Sequence, residues 1–144
     1  MALTKKTGQC MCGAVSFTVA NPPFSFGACH CEMCRRWSGS AFLGISVLQS
    51  SVTFDGEAHI RTIQSSTWAE RAWCQRCGSS LYYRLVDGDT LQLSLGLLDD
   101  PNGMTFSDEL FIDCKPDSYA FEGKGRSLVT RQEIMDRYFS GGDA

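Results

Sequence analysis

Cys74-Gln75-Arg76-Cys77-Gly78-Ser79 decides the fold, and Cys10-Met11-Cys12-Gly13 is its counterpart far upstream. In both, glycine directly follows the second cysteine. Glycine tolerates positive φ and lets backbone N–H groups approach the sulfurs, which is the shape of a zinc knuckle. Two knuckles on distant strands make a tetrahedral four-cysteine site, the closed geometry of a structural zinc. Cys10, Cys12, Cys74 and Cys77 are therefore expected to share one ion. Such a site contributes on the order of 10 kcal/mol of apparent folding free energy.

A third cluster has a different character. Cys29-His30-Cys31-Glu32-Met33-Cys34 lacks the knuckle glycine and runs into Arg35-Arg36-Trp37-Ser38-Gly39-Ser40. Three thiolates with one open position are the arrangement of a reactive zinc. Arg35 and Arg36 would offset the negative charge of three thiolates and attract an anionic substrate; the competing reading makes them solvated surface residues. Cys114 leaves a second alternative open, because as fourth ligand it would seal this cluster and leave no catalysis. As a lone cysteine it reads instead as a small buried hydrophobe. His30, between two cysteines in an extended segment, should point away from them. It suits an outer-sphere or packing role, and His59 reads as a surface residue.

The remaining composition bounds the rest. The chain has 144 residues, 43% hydrophobic residues and a net charge of −3. That is one domain's worth of chain, with no basic surplus calling for nucleic acid or an anionic membrane. Lys5-Lys6 is not followed by an apolar stretch of signal-peptide length, and no run is long enough to span a bilayer. A cytoplasmic location is expected, where seven clustered cysteines out of eight are better explained by metal than by disulfides.

The periodicity between the clusters is that of strands. Val15, Phe17 and Val19 alternate with Ser16 and Thr18, and Leu91, Leu93, Leu95 and Leu97 alternate with Gln92, Ser94 and Gly96. Leu81, Tyr83 and Leu85 precede Asp87-Gly88, which predicts a hairpin onto the leucine strand. Asp55-Gly56 and Asn102-Gly103 mark further turns, and 41–48, 58–63 and 66–73 read as less regular strands. Only the end reads as helix: Thr130-x-x-Glu133 is a capping box, and Ile134, Met135 and Tyr138 form one face. Ser140-Gly141-Gly142 should stop it, leaving frayed terminal residues. One mainly β domain follows.

The order Cys10-Met11-Cys12-Gly13, Cys29-His30-Cys31-Glu32-Met33-Cys34-Arg35-Arg36 with Ser38-Gly39, and Cys74-Gln75-Arg76-Cys77-Gly78-Ser79 resembles the glutathione-dependent formaldehyde-activating (Gfa-like) family. Leu95-Gly96-Leu97-Leu98-Asp99-Asp100-Pro101 is similar to the family's segment after the third motif. The resemblance runs from about Gly8 to about Phe121. It implies a single Gfa-like zinc-binding domain over 1–144, with a core of about 8–121 and a C-terminal extension of 122–144. The implied fold is the β-tent, antiparallel sheets stabilised by zinc.

Two zinc ions are implied, a structural one on Cys10, Cys12, Cys74 and Cys77 and a catalytic one on Cys29, Cys31 and Cys34. The implied activity is that of a carbon–sulfur lyase: a thiol such as glutathione adds to formaldehyde or a related small aldehyde, giving S-(hydroxymethyl)glutathione in the founding reaction. Arg35 or Arg36 would then hold a carboxylate of the thiol substrate, and Trp37 reads as pocket wall or core. The partners implied are a small thiol and a small aldehyde. A non-catalytic zinc-stabilised binding or chaperone-like module is the alternative, with Trp68, Trp73 and Tyr83 on an exposed face. A sealed second site would favour that module, and an open pocket over Cys29, Cys31 and Cys34 the enzyme.

Overall fold

The period-two segments are strands in a computed structural model that describes residues 4–138. The first hairpin pairs β1 (Lys5–Gln9) with β2 (Ser16–Ala20) through the first knuckle, and β5 (Val52–Asp55) completes a three-stranded antiparallel sheet. Val15, Phe17 and Val19 are buried, as their alternation requires.

The larger sheet carries β3 (Ser25–Cys29), β4 (Phe42–Leu48), β6 (Ile60–Gln64), β7 (Ala69–Cys74), β8 (Ser80–Leu85), β9 (Thr90–Ser94), β10 (Thr105–Leu110) and β11 (Ser127–Val129). Its order is β11-β10-β3-β4-β9-β8-β7-β6. The hairpin expected across Asp87-Gly88 is present as the antiparallel β8–β9 pair. Phe17 and Val19 of the small sheet pack with Ile45, Val47, Leu91 and Leu93 of the large one.

Three differences from the periodicity have physical causes. The large sheet is mixed, because β10 lies parallel to both β3 and β11. When β9 ends, β4 and β8 already occupy both its edges. The chain must travel to an outer edge of the sheet, and it adds β10 outside β3. The leucine alternation also outlasts its strand, since Leu95–Leu97 is a turn of 3-10 helix. Leu81 sits at a bulge, where Ala72 pairs with Tyr82 and Trp73 with Ser80. Leu81 therefore joins the core around Cys10 and Cys74, while Tyr83 lines a cavity.

The chain also has two helices where the sequence suggests one. The capping box at Thr130 starts α2 (Arg131–Tyr138): Glu133 N–H donates to Thr130 Oγ1 at 3.2 Å, and Thr130 N–H to Glu133 Oε1 at 3.2 Å. The stop expected at Ser140-Gly141-Gly142 lies outside the described residues. The second helix, α1 (Glu32–Ser38), is seven residues long and too short to show a periodicity. Its N-cap is a cysteine: Cys31 Sγ accepts the Cys34 N–H at 3.3 Å. Gly39 closes it at φ 87°, donating to the Arg35 carbonyl.

Gly56 ties the turn after β5 against the first knuckle. It has φ +83°, and an added Cβ would overlap the Ala14 carbonyl oxygen. Gly56→Ala should destabilise the protein by about 2 kcal/mol or more. Chemical denaturation would show this as an earlier midpoint, and an unchanged midpoint would contradict that packing.

Candidate metal centres and cavity

Cys10, Cys12, Cys74 and Cys77 bring their sulfurs within 4.8 Å of one another. The Cys10–Cys12 and Cys12–Cys74 separations are 3.6 and 3.8 Å. A tetrahedron with metal–sulfur bonds of about 2.3 Å has edges of about 3.8 Å, so the donor set fits zinc. The knuckle glycines have the positive φ their position asks for, 81° at Gly13 and 80° at Gly78. Backbone N–H groups are turned onto the sulfurs as a metal site needs, Val15 donating to Cys10 Sγ at 3.3 Å. Ser79 Oγ lies 3.2 Å from Cys77 Sγ, and that contact comes first among those that lower the Cys77 thiol to about 5.

Cys29, Cys31 and Cys34 form the second group suited to a metal, again with sulfurs within 4.8 Å of one another. Cys29 ends β3, Cys31 caps α1 and Cys34 lies in its first turn. Among the described residues no fourth cysteine, histidine or carboxylate joins them. Cys114 stays outside this group, in a 3-10 turn after β10, where Arg131 Nη2 donates to its sulfur at 3.4 Å.

The cation at the second cluster is a residue the sequence reading passed over. Arg71 of β7 is buried, and its Nη1 donates to Cys34 Sγ at 3.4 Å. Its guanidinium lies 5.0 Å from the Trp37 ring centroid and 5.1 Å from that of Tyr83. Three thiolates around a divalent ion would carry one net negative charge, which Arg71 is placed to offset. Arg35 and Arg36 project from α1, Arg35 half-buried and Arg36 exposed, and neither lines the cavity described below. The available signal for Arg71 is its place among small buried neighbours, Ala69, Ala72 and Cys74, on a strand buried from both sides.

His30 turns away from the cysteines beside it. Its Nε2 lies 2.8 Å from Glu109 Oε1, and Glu109 Oε2 accepts from Arg126 Nε at 2.9 Å. This buried relay ties the cysteine segment to β10 and the chain before β11. Burial would raise the Glu109 carboxyl, but its bonds to His30 and Arg126 outweigh that and hold it below the usual carboxylate range. His59 is half-buried beside Gln75, whose Nε2 lies 3.3 Å from His59 Nδ1.

A cavity of about 480 Å³ opens on the face of the large sheet that carries Cys29. On its floor Gly27 of β3 pairs with Gly44 of β4, and the Asp108 carboxylate and the Phe42 ring lie over these two positions that lack side chains. Phe42, Tyr83, Leu110, Phe111 and Ile134 form apolar walls. Burial pushes the Tyr83 phenol well above its usual range, so it stays an O–H donor near neutral pH. Trp68 and Tyr83 belong to this lining and Trp37 does not; Trp68, Trp73 and Tyr83 are all half-buried, not an exposed aromatic face.

Fold and site together define a small mainly β protein with two separate cysteine clusters, one closed and one bordering a cavity. The family model described as glutathione-dependent formaldehyde-activating enzyme matches residues 5–114, and the chain belongs to that family. An uncharacterized lyase of Schizosaccharomyces pombe is 33% identical over 129 residues, covering 89% of this chain and 93% of that one. A Halomonas elongata protein, provisionally named a glutathione-dependent formaldehyde-activating enzyme, is 34% identical over 83 residues. That match spans 52% of this chain and 53% of the relative. A crystal structure of a Rhodobacter sphaeroides protein shares the fold with a TM-score of 0.56 at 19% identity, covering 86% of this chain and 99% of that one. Among the described residues no helix is long and apolar enough to cross a membrane.

Arg71→Met should keep the metal of the four-cysteine group and weaken retention at the three-cysteine group by about 10- to 100-fold. Chelator competition on zinc-loaded protein measures both. Equal loss from the two groups, or none, would contradict a specific role for Arg71 at Cys34.

Proposed function

We propose that the protein is a zinc-dependent carbon–sulfur lyase that adds a thiol such as glutathione to formaldehyde or a related small aldehyde. The single observation that carries this reading is the cavity that reaches Cys29 of the three-cysteine group. In this reading Cys10, Cys12, Cys74 and Cys77 hold a structural zinc, and Cys29, Cys31 and Cys34 hold a second one with a position open to the thiol. The volume lies within the range of small-molecule sites, and the family and the relatives' names point to the same chemistry.

A bound zinc would supply Lewis acidity, favouring the deprotonated form of a coordinated thiol at neutral pH. The residues do the rest. Arg71 offsets the charge that the three thiolates bring and limits their repulsion of an entering thiolate. Gly27 and Gly44 let the Asp108 carboxylate and the Phe42 ring lie close over the sheet on the face that carries Cys29. Phe42, Leu110, Phe111 and Ile134 give the cavity apolar walls, and the Tyr83 hydroxyl is a donor available to an oxygen that gains charge. Holding thiol and aldehyde together in this space supplies much of the acceleration. Arg35 and Arg36 lie outside the lining, so a carboxylate of the thiol substrate meets Arg84 or Arg137 first.

Zinc-loaded protein given glutathione and ¹³C-formaldehyde should form S-(hydroxymethyl)glutathione faster than the uncatalysed reaction, as followed by NMR. Cys31→Ser should lower the turnover by on the order of 100-fold or more and reduce bound zinc from two ions to one. Full turnover by that variant, or none by the wild type with any small thiol and aldehyde, would refute this reading.

A further inference from the structure

Asp108 is the sole carboxylate side chain that lines the cavity among the described residues. It sits on β10 opposite Gly27, where the parallel β3–β10 register slips between Phe106 and Asp108. The extra residue, Ser107, is held by its own hydroxyl, which donates to the Phe26 carbonyl at 3.1 Å. The slip lays the Asp108 carboxylate across Gly27, in the space a side chain would fill: a Cβ on Gly27 would overlap Asp108 Oδ1. Gly27 and Cys29 are two residues apart on one strand, so their side-chain directions share a face. Asp108 and Cys29 therefore border the cavity on the same face of the sheet, beside backbone positions about 6.6 Å apart along the strand.

The carboxylate is half-buried and accepts no hydrogen bond from any described residue. Burial raises its affinity for a proton, and the charge of Arg137 alone works against this. The other ionisable groups of the cavity are Cys29 of β3, Tyr83 and Arg84 of β8, and Arg137 and Tyr138 of α2; Arg84 is paired with Glu70 at 3.3 Å. A structural carboxylate would be expected to hold one of these cations or a backbone N–H, and Asp108 does neither. An anchor for a substrate ammonium would be badly placed beside the positive charge of Arg137. A carboxylate with raised proton affinity and no fixed partner suits proton exchange.

Addition of a thiol to an aldehyde moves one proton from sulfur to oxygen. We propose that Asp108 carries that proton. As the thiol enters, its S–H bond breaks and the proton passes to an Asp108 oxygen. The sulfur lone pair then forms the C–S bond, the carbonyl π pair moves onto oxygen, and Asp108 returns the proton to that oxygen. The carboxylate is regenerated, one thiol and one aldehyde are consumed, and no oxidant or reductant takes part. Asp108 is thereby a catalytic residue. This assignment rests on the thiol–aldehyde reading given above.

The test compares zinc-loaded wild type with Asp108→Asn, which keeps the shape over Gly27, and with Asp108→Glu, which keeps the carboxyl. Calorimetric titration with glutathione in buffers of differing ionisation enthalpy counts the protons released on binding. Wild type should release about none, because Asp108 takes the thiol proton, and Asp108→Asn about one. With formaldehyde added, Asp108→Asn should lose about 100- to 1,000-fold in kcat while its glutathione Kd stays within about threefold; Asp108→Glu should recover part of the rate. Zinc content and unfolding midpoint, matched to wild type, exclude a folding defect. Equal proton counts, an unchanged kcat, or a loss confined to Kd would each overturn the assignment. Wild type that binds glutathione but turns over no aldehyde would refute the lyase reading alone, and the proton count would still decide Asp108.

Discussion

Four sulfurs within 4.8 Å of one another, drawn from the first hairpin and from the turn between β7 and β8, set the terms for everything else. Cys12 and Cys74 are 62 positions apart. Holding their loop closed costs conformational entropy, and crowded thiols offer weak hydrogen bonds in return. A divalent cation reverses that balance, because its bonds to thiolate exceed any single packing contact by an order of magnitude. The small sheet is joined to the large one by this cluster, by the Gly8–Leu98 bridge and by Phe17 and Val19 in the shared core. The cluster and the hydrogen bonds of Thr7 and Met11 to Asp99 and Ser79 specify how the first hairpin docks; apolar contact alone would tolerate other placements.

Strand β7 carries that constraint to the second cluster. Ala72 and Cys74 lie in the core around the four-cysteine group. On its opposite side Arg71 pairs in register with Tyr83 and donates to Cys34. One strand buried on both faces thus fixes both centres, and the second borders the cavity. The bulge at Leu81 serves the same division, because it lets Leu81 fill the first core while Tyr83 remains on the cavity face. The His30–Glu109–Arg126 relay holds the cysteine segment from behind. The cysteine-bearing turn is therefore fixed from two sides before any ligand arrives.

Much of this was legible in the sequence because it is local. The knuckle glycines, the Val15–Val19 alternation, the Asp87-Gly88 hairpin and the Thr130–Glu133 capping box are properties of neighbouring residues, and each is present as read. Helix α1 escaped because its cap is a thiol and its length is under two full turns. Arg71 escaped because nothing local marks it; its role comes from Cys34, Trp37 and Tyr83, residues on other elements. Arg35 and Arg36 drew attention by sequence proximity to the cysteines, yet a short helix carries their side chains away from the cavity. The parallel placement of β10 was equally hidden, since it follows from which sheet edges remain free. Asp108 depends on that placement and on a register slip, and no periodicity announces either.

Catalysis of thiol addition here requires that the three-cysteine centre have a position that a thiol can enter from the cavity. Cobalt substituted for zinc reports this through its visible absorption, which changes when a ligand joins the coordination sphere. Titrating cobalt-loaded protein with glutathione should shift the bands saturably, and the shift should vanish in Cys31→Ser. Bands that stay fixed in the wild type, with both metals retained, would mean that the second centre is sealed.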